Sequence, residues 1–437
     1  MIDICTLSPK LQTFFNQTAT QVAHTTRFVD RRSKLTGALF LQTLTLGFLH
    51  NPKASLSDLV ETSQDLDVSV TKQGLQSRIT QAVPFLQEMF QRGLDLFRND
   101  LRLDLKVLQQ FTAIYLIDSS TVALPASLRD EFPGCGGDGP AAAVKIQLTF
   151  EFLRGVIAGL VFQPGRSSDQ AYGGAWQTIR AGALYLTDLG YLAVARFRAL
   201  SEQNAYFLSR FDPRTAVFDP ASGQRLDLLT WLRALPEPQF EQDMLCGSQD
   251  RLPCRLVVVR VPQEVADQRR RRAHETARRK GESRSERHLE LMNWSLFITN
   301  VPPTMLSGRQ VVLLYAVRWQ IELLFKTCKS LCALDRIVGL RRERVLSELY
   351  AKLIGLVVMQ FLLAPYRDHA GELSVTKSVR IIQHHATDLV RSLGNLDQLS
   401  ETVRRIVACI LKNGRKGKRQ KRLTTYQQIK AWDITLA

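Results

Sequence analysis

The stretch from residue 111 to residue 210 alternates short apolar runs with polar segments, and this order limits the possible folds more than any other feature. Two adjacent runs joined by Leu153, Arg154 and Gly155 predict a β-hairpin. One strand is predicted before the hairpin, and a helix, a strand, a second helix and a last strand after it. The five predicted strands read "FTAIYLIDSS", "AAAVKIQLTFEF", "GVIAGLVFQP", "ALYLTDLGY" and "AYFLSRF". The first predicted helix, "QAYGGAWQTIRAG", lies between the third and the fourth strand. The order predicts an α/β fold in which helices cover a mixed sheet.

The flanking segments divide the chain further. Two segments near the N-terminus, "FLQTLTLGFLHNP" and "VPFLQEMFQRGLDLF", repeat apolar residues at helical spacing. Two later segments, "TAVFDP" and "CRLVVVRVP", are short β-like runs in a basic region, and "NWSLFITNV" predicts a strand that returns to the core. We therefore expect a helical N-terminal region (1–105), the first part of the core (106–211), a β-rich basic insertion (212–292), the second part of the core (293–365) and a helical C-terminal region with a basic tail (366–437).

The N-terminal region also predicts a pair of short helices, capped by Ser55 and by Ser69 or Thr71. The second helix would present side chains that can contact phosphates and bases, namely Lys72, Gln73, Gln76 and Arg78. This pattern resembles a helix-turn-helix. It is equally compatible with an ordinary helical pair that has a polar face.

The charge of the chain indicates a polyanionic partner. Lys and Arg total 58 against 41 Asp and Glu, a net charge of +17, which favours nucleic acid or an anionic membrane surface. The membrane alternative is weaker, because the N-terminus lacks a signal-peptide pattern and the most apolar stretch, from Val345 to Pro365, contains Glu348 and Lys352. We expect that stretch to be a buried core helix. The seven cysteines have no paired framework, as is typical of a reducing, cytoplasmic compartment.

A long helix is predicted from about Ser307 to Ser330, and one narrow polar stripe runs along it. At about 100° per residue, the stripe is about 60° wide. Its members are Tyr315, Arg318, Glu322 and Lys329. Taken alone, the stripe is also typical of a solvated helix face with an Arg318–Glu322 ion pair, which would contribute only about 0.3–0.5 kcal/mol.

Two acids complete a candidate site, because Asp118 and Asp188 each end a predicted strand. The strand order is that of a ribonuclease-H-like core, in which these two strands lie side by side. Glu322, on a helix packed across the same edge, would add a third carboxylate. Three close carboxylates repel one another unless cations lie among them. Two Mg²⁺ ions, which prefer oxygen ligands, would solve this and would suit a phosphoryl displacement.

The spacing Tyr315-x2-Arg318-x3-Glu322-x6-Lys329 resembles the Tyr-Arg-Glu-Lys signature of DDE transposases of bacterial insertion sequences, of the insertion-sequence-four type. The segments "IDSS" and "TDLGY" around the two Asp residues resemble the other acid motifs of that family. The resemblance covers about residues 110 to 365. This chain departs from the family pattern at Leu189, where Arg is usual, and at Ser168, where His often precedes the acid.

The resemblance implies a ribonuclease-H-like core interrupted by a β-rich insertion, and a transposase that cleaves mobile-element ends and transfers the strands into target DNA. Asp118, Asp188 and Glu322 would be catalytic and would hold two Mg²⁺ ions, for which Mn²⁺ could substitute. Arg318, Lys329 and Tyr315 would contact DNA phosphates. A homodimer in the DNA complex is implied because two element ends must be paired.

Further DNA contacts are candidates with open alternatives. Trp294 is either a residue that stacks on a base pulled from the duplex, as in similar transposases, or a core tryptophan. Lys145 is either a DNA contact or a surface lysine. The basic segments 269–287 and 412–422 favour contacts with the DNA backbone over merely solvated charge.

Two other functions stay open from the sequence. One is an inactive or repurposed transposase that only binds DNA, and the other is a related nuclease without strand transfer. The pair Cys328 and Cys332 could mimic a metal site. Without His or further Cys partners, we expect both to be core thiols.

Overall fold

A computed structural model of the protein describes residues 4–31, 33–97, 103, 105–176, 178–369, 373–416, 427–429 and 431. The helices are α1 (Ile4–Gln12), α2 (Ala19–Thr25), α3 (Gly37–His50), α4 (Leu56–Gln64), α5 (Lys72–Gln81), α6 (Val83–Leu96), α7 (Lys106–Gln109), α8 (Val194–Glu202), α9 (Leu228–Arg233), α10 (Gln263–Arg279), α11 (Glu286–Leu291), α12 (Gly308–Tyr315), α13 (Trp319–Ser330), α14 (Arg342–Leu363), α15 (Val375–His384), α16 (Ala386–Ser392) and α17 (Leu396–Asn413). The strands are β1 (Ile114–Leu124), β2 (Ala142–Glu151), β3 (Val156–Pro164), β4 (Leu184–Thr187), β5 (Tyr206–Arg210), β6 (Val217–Phe218), β7 (Arg225–Leu226), β8 (Gln239–Cys246), β9 (Leu252–Arg260) and β10 (Trp294–Thr299).

The chain divides into two compact units. Unit 1 comprises Met1–Asp104, Ser119–Ser167 and Gln320–Gln427, and unit 2 comprises Leu105–Asp118, Ser168–Trp319 and Gln428–Ala437. The first part of β1 therefore belongs to unit 2 and its second part to unit 1.

Unit 1 is mainly helical, and its N-terminal and C-terminal segments share a core. The rings of Phe97 and Phe361 stack with centroids 4.4 Å apart, and α14 packs against α3 and α6. The predicted pair of short helices is confirmed as α4 and α5. Ser55 caps α4 in a capping box with Asp58, and Thr71 caps α5 by accepting from the backbone N–H of Gly74.

The central helix of unit 1 is α14. The segment Arg342–Tyr366 is long and apolar enough to cross a membrane, but 89% of its most apolar window is buried inside the protein. A helix that is apolar on all sides is expected in the core of a large protein. The predicted buried core helix is thus confirmed.

Unit 1 also contains the hairpin of β2 and β3, which lies next to β1 in the order β3-β2-β1. The strands pair antiparallel from Val144–Pro164 to Glu151–Val156. Gly155 in the connecting turn has φ +70°, a conformation that glycine adopts without the steric penalty of a side chain. The predicted hairpin is therefore confirmed.

Unit 2 is built on a mixed sheet with the strand order β1-β4-β5-β10-β9-β8-β6-β7. β1, β4 and β5 are parallel, and β10 pairs antiparallel with both β5 and β9. One face of this sheet carries an apolar core of side chains such as Tyr185, Phe207 and Leu256. The predicted mixed α/β class is confirmed, with the strand order of a ribonuclease-H-like core.

Three local predictions differ from the structure. The predicted helix at 170–182 is wrong: short 3-10 turns form at Asp169–Ala171 and Gly174–Trp176, and the adjacent Gly173 and Gly174 disfavour a continuous helix. The long helix expected over 307–330 is broken by a 3-10 turn at Ala316–Arg318. β1 continues beyond Asp118 to Leu124.

The segment predicted as a β-rich basic insertion contains β6 to β9 and also three helices, α9 to α11. α10 carries six of the 15 Lys and Arg residues of this segment. Two ion pairs join α9 and α11: Arg287 with Asp227, the N-cap of α9, at 3.1 Å and Arg233 with Glu290 at 2.5 Å.

Candidate active site

Asp118 and Asp188 lie next to each other at the edge where the parallel strands of unit 2 meet. The last paired residues of β1 and β4 are Ile117 and Thr187, and each Asp follows directly. Neighbouring strands are about 4.8 Å apart, and residues in register on parallel strands point to the same face. The two carboxylates are therefore side by side on one face of the sheet, as the strand order predicted.

Arg210 continues this row on the next strand. Thr187 of β4 pairs with Ser209 of β5, so Arg210 is in register with Asp188. Its Nε atom is buried and has no hydrogen-bond partner among the described residues. We call this row the carboxylate row: it consists of the two carboxylates, Asp118 and Asp188, and the neighbouring Arg210. Arg210 was not among the predicted site residues, although the predicted strand "AYFLSRF" contains it.

α12 crosses the same face of the sheet and ends above this row. Ser307 and Gln310 form a capping box at its start, and Arg255 on β9 donates to the carbonyl of Leu306 at 2.7 Å. Val311 and Leu314 are fully buried. The helix is thus fixed at its start by hydrogen bonds and along its length by apolar packing.

Tyr315, the last residue of α12, contacts the row directly. Its hydroxyl donates to Asp188 Oδ1 at 3.2 Å, and its ring packs against Phe297, with centroids 5.0 Å apart. Phe297 is in turn the β10 partner of Arg210. Burial, and then the negative charge of Asp188, raises the pKa of Tyr315 above its usual range. The phenol therefore stays protonated and donates at neutral pH.

Arg318 contacts the other carboxylate. In the 3-10 turn after α12, its Nη1 lies 3.3 Å from Asp118 Oδ2, and the side chains are only 13% and 20% exposed. Its guanidinium lies 5.7 Å from the Tyr315 ring centroid. In a 3-10 turn, residues three apart eclipse, which explains why Tyr315 and Arg318 reach neighbouring acids.

Glu322 and Lys329 lie on α13, the next helix. Glu322 is partly buried in its first turn. The Lys329 Nζ donates to the backbone carbonyl of Thr121 on β1 at 3.0 Å, so this lysine is anchored to a strand. Within the described residues, no group of three or more His, Cys, Asp or Glu side chains is close enough to hold a metal ion. Metal binding by the three predicted acids stays a prediction.

The two tryptophans near the site differ in exposure. Trp294 is 9% exposed and packs in the core with Leu296 and Ile298, on the face of β10 opposite to Phe297. This placement favours the core alternative left open by the sequence. Trp319, directly after Arg318, is 57% exposed. Its position on the predicted helix does not reveal this exposure, so Trp319 was not among the predicted site residues.

Lys145 and the first arginines of the basic segment have structural partners. Lys145 donates to the carbonyl of Ser167 at 2.5 Å. Arg269 donates to the Trp294 carbonyl and to Ser295 Oγ, both at 2.9 Å. Arg270 donates to Asn293 Oδ1 at 2.5 Å. Burial, followed by the positive charge of Arg210, lowers the pKa of Arg269. The two hydrogen bonds of Arg269 anchor α10 to the start of β10.

The second half of α10 has a different character. Four arginines on its outer side are exposed, and within the described residues their guanidinium groups make no hydrogen bond or ion pair. They are Arg271, Arg272, Arg278 and Arg279, which we call the arginine face. At about 100° per residue they share one side of the helix, with Glu275 between them. The basic segment thus contains anchoring and solvent-facing arginines.

The remaining DNA-contact candidates lie in unit 1. Lys72 and Gln73 of α5 are exposed. Gln76 accepts from Arg344 at 3.1 Å, and Arg78 donates to the Phe28 carbonyl at 2.9 Å. Half of the predicted recognition set therefore serves packing. Residues 417–422 of the basic tail lie outside the described residues.

The buried thiols behave as the sequence predicted. Cys328 and Cys332 are 2% and 6% exposed, and burial raises the pKa of both, to about 12 for Cys332. They are core thiols.

Comparison with known proteins identifies the family of the chain. A family model described as "Transposase DDE domain" matches residues 109–358. The transposase for insertion sequence element IS231B of Bacillus thuringiensis subsp. berliner is 26% identical over 432 residues, covering 91% of this chain and 89% of that protein. The transposase for insertion sequence element IS1151 of Clostridium perfringens is 24% identical over 365 residues, covering 77% and 76%. Because the family model spans more than half of the chain, the chain belongs to the DDE transposases of insertion sequences.

Proposed function

We propose that this transposase cleaves DNA at the ends of its mobile element and joins the resulting 3′-hydroxyls to target DNA, using Asp118, Asp188 and Glu322. The observation that carries the proposal is the carboxylate row, in which two acids lie side by side beneath Tyr315 and Arg318. Glu322 follows Arg318 at the spacing of the family signature.

The donor chemistry of the row fits a hard divalent cation. Asp118 and Asp188 present carboxylate oxygens, the ligands that Mg²⁺ and Mn²⁺ prefer. We propose that these two residues and Glu322 hold two Mg²⁺ ions, for which Mn²⁺ can substitute. Bound cations of this kind supply Lewis acidity and charge neutralisation to a phosphoryl displacement.

The cationic and aromatic groups around the row would position the DNA. Arg318 and Arg210 flank the carboxylates on the same face, so their forked donors can bind the phosphates beside the scissile bond. Tyr315 remains a donor to a phosphate oxygen or to Asp188. Lys329 would bind a phosphate nearby. Trp319, rather than the buried Trp294, would stack on an unpaired base.

A cationic path leads away from the row. Arg269 is bonded to Ser295 of β10, the strand that pairs with Arg210 through Phe297. Arg269 anchors α10, whose arginine face is open to solvent. We propose that the duplex backbone follows this path, because arginines that neutralise phosphates release the counterions condensed on the DNA. Lys72 and Gln73 of α5 would form a second contact with DNA. Lys145, which is bonded to a backbone carbonyl, is a weaker candidate.

The reaction sets the remaining partners. Two element ends must be cut and joined together, so we propose a homodimer in the DNA complex. The site of action is the cytoplasm, on the bacterial nucleoid, without a membrane partner. No covalent enzyme–DNA intermediate is required, because the carboxylates would hold the ions for a direct displacement by water or a 3′-hydroxyl.

The deciding experiment uses the intact protein and a plasmid that carries the element's own ends. We expect nicking at those ends with Mg²⁺ or Mn²⁺ and none with EDTA. A pre-cleaved end should then join to a target plasmid. Binding without nicking would favour the DNA-binding alternative, and nicking without joining would favour the nuclease alternative.

A further inference from the structure

A buried ion pair lies in the middle of α14, in a helix that is otherwise apolar. Lys352 Nζ is 2.8 Å from Glu348 Oε1, and both side chains are 1% exposed. Buried ion pairs are costly to desolvate, and apolar residues of similar size often serve stability equally well. Fold stability alone therefore does not account for this pair.

The pair binds the loop that follows α13. Lys352 Nζ donates to the carbonyls of Ala333 and Arg336, both at 2.9 Å. Glu348 Oε2 accepts from the backbone N–H of Val338 at 3.2 Å. Three backbone groups of one irregular segment, residues 331–341, are thus held by two side chains from the core.

The loop itself has features that require such support. Ala333 has φ +45°, a strained conformation for a residue with a side chain. Val338 and Leu340 are 56% and 72% exposed, so their side chains contribute little apolar packing. Cys332, Ala333 and Leu334 at the start of the loop are buried, and the ion pair fixes the backbone beyond them, at Arg336 and Val338.

We propose that Glu348 and Lys352 are positioning residues, which hold the loop 331–341 and thereby the end of α13 that carries Lys329. This inference rests on the proposed function, because it concerns the helix assigned to Glu322 and Lys329. Neither residue contacts DNA or a reacting atom in this role. They act by fixing the backbone on which the active-site helix ends.

The test compares the double variant E348L/K352M with the wild type. Removing both charges avoids an uncompensated buried charge, so we expect the variant to fold with a melting temperature within a few degrees of the wild type. Amides in 331–341 should exchange with solvent at least tenfold faster. Cleavage of bound element ends should fall at least tenfold, while the affinity for those ends stays within twofold.

A matched control removes a similar pair at the surface. Glu88 and Arg92 form an i,i+4 ion pair with side chains 39% and 57% exposed, and E88Q/R92M should leave exchange and cleavage unchanged. Unchanged exchange in 331–341, or cleavage within twofold of the wild type, would overturn the proposal.

A second measurement needs no variant. In the wild-type protein, the amide of Val338 should be protected from exchange although its side chain is exposed. If the Val338 amide exchanged at the rate of an unstructured amide, the result would contradict its hydrogen bond to Glu348. If the wild-type protein failed to cleave its ends, the proposed function would fail, while both exchange measurements would still decide whether the pair holds the loop.

Discussion

The carboxylate row and the arginine face lie in the same unit, but the charges of the row are partly buried and paired, whereas those of the arginine face are exposed to solvent. In the row, Asp118 is only 20% exposed, and its ion-pair partner Arg318, which lies above the row, is only 13% exposed. Around it, the sheet register, the Tyr315 hydroxyl and the packing of Phe297 fix the geometry. On the arginine face, Arg271 and its three neighbours project into solvent from a helix anchored elsewhere.

The difference separates positioning from attraction. Charges held in a partly buried network have their orientation set before the substrate arrives, which favours stabilisation of charge that develops during a reaction. Exposed arginines on one helix side can adjust to a phosphate backbone and act mainly through screened electrostatics. The row should therefore control rate, and the arginine face should control affinity and its salt dependence.

The largest effect is expected at the acids. Asp118→Ala, Asp188→Ala and Glu322→Ala should each lower end cleavage by about 10³-fold or more, beyond the loss of a single positioned donor, and leave end binding largely intact. Gel-based cleavage and binding assays measure the two effects separately. Asp138→Ala, at an exposed acid in the glycine-rich loop, is the control. Near-normal cleavage by any of the three variants would remove that residue from the site.

A smaller loss is expected at Arg210. Arg210→Ala should lower the cleavage rate of bound ends by about 10²-fold, because a positioned donor beside the scissile phosphate is lost. Arg214→Ala is matched in residue type and unit, but its side chain is 87% exposed, and it should cleave normally. Equal rates for the two variants would show that Arg210 has no part in positioning the phosphate.

The two tryptophans should separate activity from stability. Trp319→Ala should slow cleavage by about 5- to 100-fold, which corresponds to the loss of about 1–3 kcal/mol of base stacking, with an unchanged melting temperature. Trp294→Ala should mainly destabilise the fold, by roughly 3–5 kcal/mol, as for other buried aromatics. Thermal unfolding and single-turnover cleavage measure the two quantities. If instead Trp294→Ala slowed cleavage without loss of stability and Trp319→Ala cleaved normally, Trp294 would be the stacking residue.

The smallest effect per residue is expected on the arginine face. Arg278→Gln with Arg279→Gln should reduce the slope of log affinity against log salt by about 0.9 for each lost phosphate contact. The cleavage rate at saturating protein should not change. The control changes Arg92 and Arg404, exposed arginines that are paired with Glu88 and Glu401. An unchanged slope would mean that the face is solvated charge only.

Much of this architecture could be predicted, because it depends on patterns local in the sequence. The hairpin, the caps at Ser55 and Thr71, the buried α14 and the placement of the two acids on neighbouring strands all follow from alternation, capping chemistry or apolar runs. The predicted end of β1 at Asp118 was wrong, because β1 continues to Leu124. Asp118 and Asp188 lie far apart in the chain, but a parallel strand order brings them together. That order was itself predictable.

What could not be predicted depends on which side of an element faces the core. Trp294 and Phe297 are on one strand, yet they point to opposite faces, and only the pairing of β10 reveals which face carries the carboxylates. Arg210 enters the row through register with Asp188. The anchoring of Arg269 and the exposure of Arg278 likewise depend on how α10 packs. The sequence of the arginine run alone does not reveal this packing.

The most direct test of the central claim is a change of metal preference at the row. Asp188→Cys replaces a carboxylate by a softer thiolate, which Mn²⁺ tolerates better than Mg²⁺. We predict that this variant cleaves element ends at least about tenfold faster with Mn²⁺ than with Mg²⁺, beyond any difference that the wild type and Asp138→Cys show. The same ratio of rates in all three proteins would contradict the assignment of Asp188 as a metal ligand.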